Sequence, residues 1–183
     1  MDTRKKLEIL SQEARYDLSC ACGSKDQDRR VRGKDGMWVY PASLPGGGKT
    51  IILKTLMSNA CANDCRYCPL RSEQDTRRCS LTAEDVSRIF MDYVRRGKIH
   101  GIFLTSGVVR DPDHTMDRLI AAAELLRNKY DYRGFVHLKI MPGASNGAIE
   151  SALSLASAVS LNVEAPTASM FRQLSGRKDF ERD

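Results

Sequence analysis

Three cysteines occupy one short segment, Cys61-Ala-Asn-Asp-Cys65-Arg-Tyr-Cys68, spaced C-x3-C-x2-C, directly after the apolar run 50–57. A loop of this length curls so that its thiolates face one point. Soft thiolates select zinc, copper(I) or iron–sulfur clusters. A structural zinc site needs four closed ligands, commonly as two spaced pairs, and no second Cys-x2-Cys or His-x3-His pair follows. A zinc knuckle completed by Cys79 or a distant histidine stays open as an alternative. A [4Fe–4S] cube held by three cysteines leaves one iron free to bind and reduce a small molecule. Three close thiols cannot make two disulfides, and residues 1–10 lack the apolar core of a secretory signal.

With Tyr67 just before the last cysteine, the loop resembles the C-x3-C-x-aromatic-C signature of the radical S-adenosylmethionine (SAM) superfamily. It stands after an expected strand and before an expected helix, the context such a motif requires. The resemblance implies a [4Fe–4S] cluster held by Cys61, Cys65 and Cys68. Its open iron is chelated by the amino and carboxylate groups of SAM, which is cleaved to a 5′-deoxyadenosyl radical. It also implies a reductant such as flavodoxin or ferredoxin.

Positioning such a loop takes strands and helices in alternation. Leu7, Leu10 and Ala14 fall at helical spacing within 3–16. The first strand is expected at 51–57. Thr82 is a plausible cap for a helix whose apolar face is Val86, Ile89, Phe90, Tyr93 and Val94, stopped by Gly97. A second strand at 102–107 runs into a tight turn at Ser106-Gly107. A helix over 114–130 buries Met116, Leu119, Ile120 and Ala123. A third strand covers 135–140, closed by Pro142-Gly143. A helix from Ser145 to Ser157 presents Ile149, Ala152, Leu153 and Ala156. A fourth strand at 158–163 carries Asn162 and leads to Glu164, and Thr167 caps a last helix ending at Gly176. This alternation predicts parallel strands joined by helical crossovers, with chemistry collecting at their carboxyl ends. The expected fold is α/β: a partial (β/α) TIM-like barrel of residues 50–183, preceded by a helix-and-loop extension over 1–49. Only four of the six units usual in the family fit, so the expectation is a truncated barrel whose open edge calls for a partner or self-association.

The family resemblance extends along this barrel. Tyr67 matches the aromatic whose backbone sits near adenine. Ser106 and Gly107 stand where the family receives the methionine amino group, and Asn162 and Glu164 resemble the pair that holds the ribose hydroxyls. Several stretches resemble a biotin-synthase-related subgroup associated with DNA modification or repair: Tyr16-Asp-Leu-Ser-Cys20, 103–108, 137–145 and 161–166. The helix-hairpin-helix region of that subgroup has no counterpart here. His137 and Lys139 alternate onto one face of the third strand and are the candidates for substrate contact.

Composition sets the remaining bounds. The chain has 183 residues, a net charge of +6 and six cysteines. It suits a single globular domain in a reducing cytoplasm, with no membrane span and an anionic partner such as nucleic acid. Cys20 and Cys22 read as plain thiols, with an auxiliary metal site that Cys79 would join as the alternative. The segment Pro45-Gly-Gly-Gly-Lys49-Thr50 is not a phosphate loop, because Ser43 stands where the pattern needs glycine and the segment precedes a strand. A second class of function remains beside the enzyme: a zinc- or cluster-stabilised nucleic-acid-binding protein, closed at the metal and indifferent to SAM.

Overall fold

A computed structural model of the chain describes residues 1–17, 30–33, 36–43 and 47–183. Cys20, Cys22, most of the charged stretch 25–35 and Pro45-Gly46 lie outside the described residues.

Strands β3 (Lys49–Leu56), β4 (Gly101–Thr105), β5 (Phe135–Lys139) and β6 (Ala158–Ser160) pair in parallel and in sequence order. Helices α2 (Ala83–Arg95), α3 (Pro112–Glu124) and α4 (Asn146–Leu155) connect them, and α5 (Ala168–Leu174) follows β6. The four expected β/α units are therefore present. Each of these four helices starts on a side-chain cap: Thr82 accepts from Asp85 N, Asp111 from His114 N, Ser145 from Ala148 N and Thr167 from Met170 N. Such caps contribute about 1 kcal/mol each.

The strands alternate. Leu53, Ile102, Leu104, Val136 and Leu138 join Val86, Phe90, Met116, Leu119 and Ala152 in the main core. Each fully buried apolar side chain of this kind contributes about 1.5–3 kcal/mol. On the opposite face Lys54, Phe103 and His137 stand in register across β3, β4 and β5.

The segment before residue 50 does more than extend the chain. Helix α1 (Thr3–Glu13) packs on β2 (Trp38–Ser43) and β3. Strand β2 pairs antiparallel with β3, and β1 (Val31–Arg32) with β2. Pro41 interrupts the strand signal of β2 in the sequence, as proline usually does away from sheet edges.

Two boundaries and one helix face differ from expectation. Helix α3 gives way at Leu125 to a π-helical turn, Leu125–Lys129. Strand β6 ends at Ser160, so Asn162 lies on the segment beyond it. The reason is pairing: Lys139 is the last β5 residue opposite β6, and Pro142-Gly143 turns the chain away. Leu153, assigned to the apolar face of α4, is instead more than half exposed, because nothing described covers that side of the helix.

Candidate functional site

The cysteine loop is held by the strand it leaves and by its neighbour. Beyond β3, Met57 N donates to Thr105 O at 2.7 Å, Gly107 N to Ser58 O at 2.8 Å, and Ala62 N to Val108 O at 2.7 Å. Gly107 is not the tight turn expected. It adopts no left-handed backbone, and its necessity is spatial: a Cβ there would lie 2.4 Å from Ala60 O and 3.1 Å from Cys61 Cβ.

Two further anchors tie the loop down. Asn59 is fully buried; its Oδ1 accepts from Cys79 N at 2.6 Å, and its Nδ2 donates to Glu13 Oε2 and Arg77 O. The Arg78 guanidinium donates to four backbone carbonyls, of Asn59, Leu70, Arg71 and Gln74. From the other side, Asp64 accepts from Ser175 Oγ, Gly176 N and Arg177 N, while Arg177 Nη1 donates to Ala62 O and Ser72 Oγ. Asp64 is held below the usual carboxylate range, chiefly by the Ser175 hydrogen bond.

Cys61, Cys65 and Cys68 line one cavity, open to solvent, at the carboxyl ends of the parallel strands. Burial raises the Cys65 and Cys68 thiols above their ordinary range, and the charges of the neighbouring cysteines push the same way. Cys68 Sγ accepts from Leu70 N at 3.4 Å, the kind of hydrogen bond that tunes a sulfur ligand. Among the described residues no three of His, Cys, Asp and Glu are gathered as ligands of a single metal ion. The three thiols line the same cavity. Cys79 is buried and does not line that cavity.

The cavity also collects Tyr67, Ser106, Gly107, Lys139, Asn162 and Glu164. Tyr67 is half exposed; burial of its hydroxyl and a hydrogen bond to the Glu164 carboxylate raise its pKa. Glu164 pairs with Lys178 at 3.7 Å. Lys139 Nζ donates to Asn162 Oδ1 at 2.5 Å and to Asp17 Oδ1 at 3.4 Å. Burial lowers the Lys139 pKa, which Asp17 partly restores.

His137 differs from its expected role. It does not line the cavity, but stacks on Phe103 with ring centroids 3.9 Å apart and meets Ser160 Oγ at 2.9 Å. Burial, then the Lys139 charge, lowers its pKa to about 4. It is a neutral residue beneath the site.

Sequence reasoning missed Asp17, Lys54, Lys178, Arg78, Asp64 and Arg177. For Lys54 a signal existed: a charge in the middle of an apolar parallel strand, which needs a buried partner. Asp17 sat inside a stretch read only for its resemblance.

A family model described as the Radical SAM superfamily matches residues 55–182. Among solved structures, the FeFe-hydrogenase maturase HydG from Carboxydothermus hydrogenoformans is similar at a TM-score of 0.60 and 18% identity, covering 97% of this chain and 35% of that one. Another HydG structure, titled a maturase of the [FeFe]-hydrogenase, gives 0.57 and 19%, covering 70% and 29%. Methylornithine synthase (PylB) gives 0.56 and 16%, covering 99% and 46%. The chain thus spans less than half the length of these structures, and at such identities the likeness concerns the fold. No curated protein sequence matches it.

Proposed function

The chain belongs to the radical SAM superfamily, whose members bind a [4Fe–4S] cluster and SAM, and from that premise we propose that it is an enzyme that cleaves SAM reductively to modify a substrate. One observation carries this reading: the three cysteines share a single cavity with Ser106, Gly107, Asn162 and Glu164.

In this reading Cys61, Cys65 and Cys68 hold the cluster, and the resemblance assigns the remaining iron to SAM. When bound, the cluster would supply the electron for reductive cleavage of SAM. The chain's own residues orient and shield. The Ser106-Gly107 backbone takes the methionine amino group, the Tyr67 backbone lies near adenine, and Asn162 and Glu164 hold the ribose hydroxyls. Lys139 fixes the Asn162 amide oxygen, and Lys178 fixes Glu164. Leu70, Val108 and Met141 give the cavity apolar walls that exclude water from a reactive species.

The proposal takes residues 50–183 as the radical SAM core and 1–49 as an extension closing one side of its sheet. It includes a cytoplasmic location, a flavodoxin or ferredoxin as reductant, and DNA as the substrate class. Support for DNA comes from the subgroup resemblance and the net charge of +6. No helix among the described residues is long and apolar enough to cross a membrane.

Anaerobic reconstitution followed by electron paramagnetic resonance tests the reading. About four irons per chain are expected, with a reduced-cluster signal that changes when SAM is added and vanishes in Cys61→Ala, Cys65→Ala or Cys68→Ala. A cluster blind to SAM, or zinc in place of iron, would overturn it. DNA should raise the yield of 5′-deoxyadenosine; no response removes DNA from the reading.

A further inference from the structure

Beneath the cavity two lysines converge on one carboxylate. Lys54 on β3 is 1% exposed and Lys139 on β5 is 4% exposed. Asp17 Oδ1 lies 3.9 Å from Lys54 Nζ and 3.4 Å from Lys139 Nζ, and Lys54 Nζ also donates to Asp17 O at 2.5 Å. Lys54 sits over the Phe103 ring at 4.9 Å, which stabilises its charge without neutralising it. Glu164, the other carboxylate acting on Lys139, already has Lys178 beside it. His137, in the same row as Lys54, is neutral.

Among the described residues this floor therefore holds two ammonium groups against one carboxylate. A buried charge is costly, and a fold keeps one where a partner or a ligand compensates it. Lys139 is the member of the pair that lines the cavity. An ammonium has three donors, and Asp17 and Asn162 take two of those of Lys139, which leaves one for a ligand.

We propose that Lys139, backed by Lys54 and positioned by Asp17 and Asn162, is an anion-binding subsite that takes a carboxylate or phosphate group of the substrate. Assigning the anion to the substrate rests on the radical SAM reading; the existence of the subsite does not. Lys139 makes the contact, and Lys54 acts through its charge.

The test is calorimetric titration of the reconstituted protein with inorganic phosphate and, separately, with acetate, with and without saturating SAM. The expected result is saturable binding of at least one anion that persists with SAM present. It weakens tenfold or more in Lys139→Met and by a smaller factor in Lys54→Met, provided each variant melts cooperatively. The stronger of the two anions identifies the group as phosphate or carboxylate. No binding of either anion by the wild type overturns the proposal, as does equal affinity in a folded Lys139→Met. Loss of binding when SAM is added also overturns it, because the site would then belong to the SAM carboxylate. The wild-type competition stands even if the variants fail to fold. Paramagnetic resonance with SAM reports on the radical SAM reading independently, so the failure of either idea is recognised by itself.

Discussion

Gly107 illustrates how a single missing methyl sets the site. The segment after β4 passes so close to the cysteine loop that an added Cβ would meet backbone, which cannot swing aside as a side chain can. Gly107→Ala is expected to cost about 1–3 kcal/mol through overpacking. The check is a denaturant midpoint together with iron retention, both of which should fall. His137 carries a pH prediction. Its folded pKa of about 4 lies below the ordinary 6.5, so between those values the unfolded chain binds more protons. Stability therefore rises with pH across that window and is lost as pH falls from about 6.5 through 4. Thermal melts at several pH values should show this slope in the wild type and a flatter one in His137→Gln. A slope unchanged by the substitution would assign the acid sensitivity elsewhere.

At the scale of elements, the cysteine loop is a long connection made rigid from outside. Arg78 closes it by bonding four carbonyls, and Asp64 and Arg177 lace it to the segment after α5. Charge-assisted hydrogen bonds of this kind contribute about 1.5–3 kcal/mol each, though several from one group do not add. Arg78→Met should destabilise the chain by about 2–4 kcal/mol. It should also open residues 59–78 to protease before the rest of the fold. Proteolytic cleavage spread evenly over the chain would contradict a local role. The caps at Thr82, Ser145 and Thr167 were readable because each lies three residues from the amide it accepts from. The bonds from Asp64 to Ser175, Gly176 and Arg177 were not, since they join residues 111 to 113 positions apart.

At the scale of the whole molecule, the described residues form one open sheet flanked by helices. β6 is its last strand, and among the described residues no strand pairs with its outer side. The apolar residues near that edge are exposed: Leu153, Leu161 and Met170 by about half, and Val163 by 87%. Unpaired strand edges flanked by apolar surface invite pairing with another chain. The 183-residue chain is therefore expected to self-associate in solution, with an apparent mass that rises with concentration in light scattering. A monodisperse monomer that melts cooperatively would sink this expectation.

The division between sequence and tertiary structure follows from range. Cysteine spacing, helical periodicity and strand–helix alternation are local, and they determined the C-x3-C-x2-C loop, the four β/α units and the gathering of Ser106, Gly107, Asn162 and Glu164 with the thiols. Period-two alternation also put His137 and Lys139 on one face of β5. Which of the two reaches the cavity depended on depth along the strand, and depth is set by neighbouring strands rather than by pattern. The antiparallel β1–β2 addition was hidden by Pro41 and a pairing with β3 that no local signal announces. Asp17 meets Lys54 and Lys139 across 37 and 122 positions of chain. Only the closing of the sheet brings those three charges together, because their interaction has no counterpart in the extended chain.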